Sequence, residues 1–193
     1  MDQNKQLEIS VSAEMVFPSS SKELYLLWRD FRNLPGILSF INSVTLLDSI
    51  HSIWSTTIPS NKELLSYNVE ITEDIPYKAI YWHSESSTEI LHYGSAVFVP
   101  AGQSSTQLRL SLKFFLPPLY ASPQISEASL QSQTEEDLRR FLSALQAHEF
   151  PIPSLSQEDL PDNLPHPNLP SQPFKAEHKK GDSHKYYSPP PEE

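Results

Sequence analysis

The sequence predicts an α+β fold in which an antiparallel sheet of six to seven strands is covered by one long C-terminal helix, with two short helices after the first strand. Three observations lead there. Strand-like runs follow one another from residue 44 to 117 with no helix-period segment among them. The separators between runs are short, which implies antiparallel hairpins rather than crossovers. Helical stripes occur only before and after this block, the segregation that characterises the α+β class.

Taken in order, residues 7–17 place Ile9, Val11, Ala13, Met15 and Phe17 at period two, a half-buried strand that Pro18 ends. In 20–35, Ser20 and Glu23 have capping-box spacing, and Leu24, Leu27, Trp28 and Phe31 share one helical face, leaving Arg29, Asp30 and Arg32 toward water. Asn33, Leu34, Pro35 and Gly36 break that helix, and 37–41 reads as a short second helical turn. The strand runs are 44–48, 52–58, 64–75, 79–84, 90–99 and 106–116. The last shows the clearest alternation, with Leu108, Leu110, Leu112 and Phe114 opposite Gln107, Arg109, Ser111 and Lys113. After a polar link, Thr134 and three acids predict the start of a helix over 134–149. Leu138, Phe141, Leu142 and Leu145 form its apolar stripe, and Pro151 stops it.

Composition divides the chain of 193 residues into a domain over 1–150 and a Pro-rich tail over 151–193. The tail holds ten of the 18 prolines and has no apolar periodicity, so it is expected to be disordered. Of the formal charge of −10, residues 1–150 carry −7 without a Lys/Arg cluster, which argues against nucleic acid and against an anionic membrane surface. Cysteine is absent, which excludes disulfides and thiolate chemistry. No leader-like or membrane-spanning run is evident, so a soluble cytoplasmic protein without stable membrane insertion is expected.

No catalytic set is legible. Among His51, His83, His92 and His148 no pair has close ligand spacing on one element, so no metal and no cofactor are expected; His83 alternates toward solvent. Glu70 also alternates toward the wet face, and no inward carboxylate is available for acid/base work. Asp30 reads as a turn-holding residue. Gly94 reads as a bulge or tight bend. Trp28, Trp54, Tyr67, Trp82, Phe98 and Phe114 all fall on inward faces, where core packing and pocket lining both remain open.

Six segments in register resemble one family. They are Trp28-x-Asp30-Phe31-x-Asn33-Leu34-Pro35; Ile41-Asn42-Ser43-Val44 with His51-Ser52-Ile53-Trp54; Tyr67-Asn68-Val69-Glu70-Ile71 with Pro76; Ile80-x-Trp82-x-Ser84; Gly94-x-Ala96-x-Phe98; and Asp137-Leu138-x-x-Phe141. In the third, Tyr67 and Val69 replace the family's Trp and Ala. Over residues 7–148 the chain is similar to the polyketide cyclase/dehydrase-like branch of the START-like (SRPBCC) superfamily, which includes coenzyme Q-binding relatives. The resemblance implies a helix-grip fold, a curved sheet around the long C-terminal helix with an elongated apolar cavity between them. It further implies a binding or carrier protein for a small hydrophobic ligand that is lipid-, quinone- or isoprenoid-like. The expected pocket lining is Trp28, Leu38, Trp54, Tyr67, Trp82, Phe98, Phe114 and Leu142. Two other readings stand beside it: a cyclase/dehydrase-type enzyme, weakened by the missing acid/base set, and an assembly protein that docks a protein partner through the Pro-rich tail.

Overall fold

A computed structural model describes residues 6–58, 62–85, 90–120, 122 and 125–148; the expected tail lies outside the described residues. Seven strands, β1 (Leu7–Phe17), β2 (Ser43–Leu46), β3 (His51–Thr57), β4 (Leu64–Ile75), β5 (Ala79–Ser84), β6 (Leu91–Pro100) and β7 (Thr106–Leu116), form one antiparallel sheet in the order β1-β7-β6-β5-β4-β3-β2. Strands β2 to β7 meander, and β1 closes the far edge by pairing along its whole length with β7, from Leu7 opposite Leu116 to Phe17 opposite Thr106. The runs 64–75, 79–84 and 106–116 coincide with strands. Strand β2 stops before Asp48, because the Asp48 carboxylate accepts the Ile50 and His51 amides at 2.8 and 2.7 Å and turns the chain.

Helix α1 (Ser21–Arg29) carries the full capping box at Ser20 and Glu23. A 3₁₀ turn over Phe31–Asn33 follows. The Asp30 carboxylate opens it by accepting from the Arg32 amide at 3.2 Å, and helix α2 (Leu34–Ile37) follows the turn. Arg29 departs from the expected water-facing position. Its Nε donates to Asp74 at 2.6 Å and its Nη2 to the Ser49 carbonyl at 2.7 Å, while the Tyr25 hydroxyl donates to the same carboxylate at 2.6 Å. Asp74 lies just past a register shift in β4 between Ile71 and Glu73, so this half-buried pair ties α1 to the bent end of that strand.

Helix α3 (Glu127–Gln146) begins seven residues before the expected Thr134. Ser126 caps it by accepting the Ser129 amide at 3.2 Å, and Thr134 is interior, its hydroxyl donating to the Leu130 carbonyl at 2.7 Å. The acids that predict a first turn instead pair along the helix, Glu135 and Glu136 with Arg139. The first two turns carry no periodic signal in the sequence, because Glu127, Ala128, Ser132 and Gln133 are exposed and give no apolar stripe.

Leu138, Phe141 and Leu145 bury against the sheet, and Leu142 is half-buried at its margin. Phe141 meets Phe17 at 5.1 Å and Trp28 at 6.3 Å between ring centroids. Gln131 protects the sheet edge: its Nε2 donates to the Ser12 carbonyl at 2.8 Å and its Oε1 accepts the Ser12 amide at 3.1 Å, satisfying outward backbone groups of β1. Asp137 is fully buried, an inward carboxylate that the sequence reading does not anticipate. It accepts the Ser39 amide at 2.8 Å and the Ser39 hydroxyl at 3.0 Å, and so fastens the chain after α2 to α3.

Candidate functional site

The sheet curves around α3, and at one end of this grip the two separate to leave a cavity of about 480 Å³. Strand β3 contributes Thr56 and Thr57, followed by Ile58; β4 contributes Tyr67, and Ile90 precedes β6. Phe114 and Leu116 come from the last turn of alternation in β7. The opposite wall is Ser129, Leu130 and Gln133 of α3, with Ser39 and Phe40 from the segment that Asp137 holds in place. The lining is mainly apolar, and the Thr56 hydroxyl is engaged, donating to the Phe40 carbonyl at 2.5 Å. Tyr67 is the one titratable residue among the described lining residues. Burial alone pushes its phenol up, so at neutral pH it is a donor.

Of the expected lining residues, Tyr67 and Phe114 face this cavity. Trp28, Leu38, Trp54, Trp82 and Phe98 do not. They are buried in the packed core, where Phe31 lies edge-on to Trp54 and Trp82 and Phe98 packs against Tyr25. Leu142 packs at the core margin away from the cavity wall. Phe40, Ile58, Ile90, Leu116 and Leu130 were not expected in the lining.

Behind the wall sits His92, which the sequence left unassigned although it alternates in phase with Gly94, Ala96 and Phe98. Its side chain is 0 % exposed. The Trp82 indole N–H donates to His92 Nε2 at 3.0 Å, and Nδ1 has no hydrogen-bond partner among the described residues. Burial pulls the imidazole down to about 3, with a smaller push from His83. The ring stacks on Phe114 at 5.7 Å between centroids and meets Tyr67 edge-on at 5.6 Å.

Gly94 corrects its sequence reading. It is regularly paired on both sides, opposite Trp82 and Leu112, so it is no bulge. A Cβ there would lie 2.2 Å from the Trp82 indole, and the glycine makes room for the ring to lie flat across β6 toward His92. His83, expected toward solvent, is half-buried, with Nε2 3.4 Å from Glu70. Among the described residues no group of three His, Asp or Glu side chains could hold a metal ion, and no helix is long and apolar enough to cross a membrane.

No protein-family profile and no curated protein matches the sequence. Solved structures do resemble it. A Deinococcus radiodurans protein superposes with a TM-score of 0.61 at 26 % identity, over 72 % of this chain and 98 % of its own. A START superfamily protein from Mycobacterium smegmatis gives 0.54 at 16 % identity, over 72 % and 95 %. The fold is START-like. The di-domain ARO/CYC BexL of the BE-7585A biosynthetic pathway, matched over 74 % of this chain and 48 % of its own length at 16 % identity and a TM-score of 0.55, shares the same START-like helix grip.

Proposed function

We propose that this START-like domain is a binding or carrier protein for a small hydrophobic molecule, held in the 480 Å³ cavity between α3 and the ends of β3, β4 and β7. The observation that carries the reading is a lining of Phe40, Ile58, Ile90, Phe114, Leu116 and Leu130 around one buried phenol, the pattern of ligand pockets of this size. The volume corresponds to about 16 waters at roughly 30 Å³ each, which suits a ring system with a short chain better than a long isoprenoid tail. Within the lipid-, quinone- and isoprenoid-like range, a compact aromatic or quinone-like body fits best. Burial keeps the Tyr67 phenol neutral, so in this reading it serves the ligand as a hydrogen-bond donor. We place the carrier in the cytoplasm and treat residues 151–193 as a candidate docking segment for a protein partner, both on the sequence grounds given above.

Thermal unfolding with a panel of quinones, fatty acids and short isoprenoids tests this. A ligand present at 100 times its Kd stabilises by about 2.7 kcal/mol and raises Tm measurably. Leu130→Trp, which fills the cavity from α3, should abolish the rise while the variant stays folded. If no compound in the panel moves Tm, or if L130W responds as the parent does, the cavity is not a binding site.

A further inference from the structure

His92 and Tyr67 present, on neighbouring rings, two donors without a hydrogen-bond partner among the described residues. An indole N–H can only donate, so the Trp82 bond at 3.0 Å requires the lone pair on His92 Nε2. Burial keeps the imidazole neutral at physiological pH, so the ring proton sits on Nδ1. That N–H is fully buried and has no partner among the described residues, a state that protein interiors rarely leave without a reason. The two ring nitrogens point in widely divergent directions. With Nε2 turned to Trp82, the Nδ1 edge faces away from that indole, on a ring flanked by Trp54, Tyr67 and Phe114. Of these, Tyr67 and Phe114 line the cavity, as does Ile90, two residues before His92. The Tyr67 hydroxyl makes no hydrogen bond with the described residues.

We propose that His92 Nδ1–H and the Tyr67 hydroxyl form the polar end of the cavity and together hold one neutral carbonyl oxygen of the ligand. The assignment rests on the cavity being a ligand site, as proposed above. A carbonyl oxygen has two lone pairs and no proton, so it satisfies both donors at once. A carboxylate would bring an uncompensated charge into an apolar wall, and an alcohol or amine would bring a further donor that needs a partner of its own. Nδ1 has no exposed surface, so the ring of Tyr67 or Phe114 turns aside as the oxygen arrives. Trp82 and Gly94 then have a positioning role: the glycine admits the indole, and the indole sets the tautomer.

Two probes of matched shape test this on the full chain, 2-acetylnaphthalene and 2-isopropylnaphthalene, by calorimetric titration. Tyr67→Phe should weaken the ketone about fivefold, the usual worth of one such bond, and leave the hydrocarbon within about twofold. His92→Phe should act in the same direction. In ¹⁵N-labelled wild-type protein the ketone, but not the hydrocarbon, should shift the His92 Nδ1 and its attached proton. This measurement decides the matter if H92F does not fold. If both probes bind but Y67F changes them equally and the Nδ1 signal does not respond to the ketone, the two-donor site is wrong and the cavity reading stands. If neither probe binds wild-type protein and the panel also fails, both are wrong.

Discussion

Lowering the pH from 8 to 5 should cost the domain about 2 kcal/mol through His92 alone. In the folded state burial holds the imidazole at about 3, against an ordinary value of 6.5. Between those two values the unfolded chain binds a proton that the folded chain does not. The contribution is therefore fully present above pH 6.5 and is lost as pH falls toward 3. At pH 5, one and a half pH units below the unfolded value, the loss at 1.36 kcal/mol per unit is about 2 kcal/mol, and its ceiling near pH 3 is about 5 kcal/mol. His83 is also lowered by partial burial and adds in the same sense, whereas His51, raised by its hydrogen bond to Asp48, opposes it. The clean quantity is thus a double difference. Urea unfolding at pH 5, 6, 7 and 8 would be measured for wild type and for His92→Gln, whose amide oxygen can still accept from Trp82. The variant should show a pH dependence smaller by about 2 kcal/mol across this range, whatever its absolute stability. Parallel profiles would refute the reasoning, because they would mean that the buried ring takes up its proton as easily as an exposed one.

Three other perturbations have defined outcomes. Phe141→Ala should cost about 3 to 5 kcal/mol in denaturant unfolding, since this ring is 1 % exposed between Phe17 and Trp28; a loss under about 1 kcal/mol would contradict its place in the core. Gly94→Ala should cost about 2 kcal/mol or more, because the new Cβ would sit 2.2 Å from an indole packed beside Phe31 and Trp54, and a near-neutral result would show that Trp82 can move freely. Removing residues 151–193 should change stability by no more than about 0.5 kcal/mol, as their composition leads us to expect, and a larger loss measured by the same titration would show that they pack on the domain.

The strands and the first helix were legible because their signals are local. Period-two alternation in 106–116 and the Ser20–Glu23 spacing each state, within a few residues, which side chains face inward and where a helix begins. The start of α3 was less legible. Its first turns border solvent and the cavity, so no apolar stripe marks them, and only the Ser126 cap does. The site was legible as a face but not as a place. Trp54, Tyr67, Trp82, Phe98 and Phe114 share one inward phase, yet alternation says nothing about how far along the grip each lies. The curvature of seven paired strands around α3, and the tie from Asp137 to Ser39, leave the gap beside Tyr67 and Phe114 and close it over the tryptophans. For His92 the division is the same. Its inward phase can be read from 90–99, but its tautomer depends on Trp82 of the neighbouring strand, and its missing second partner depends on packing among Tyr67, Trp54 and Phe114. Hydrogen-bond satisfaction is a property of three-dimensional neighbours, which no one-dimensional period encodes.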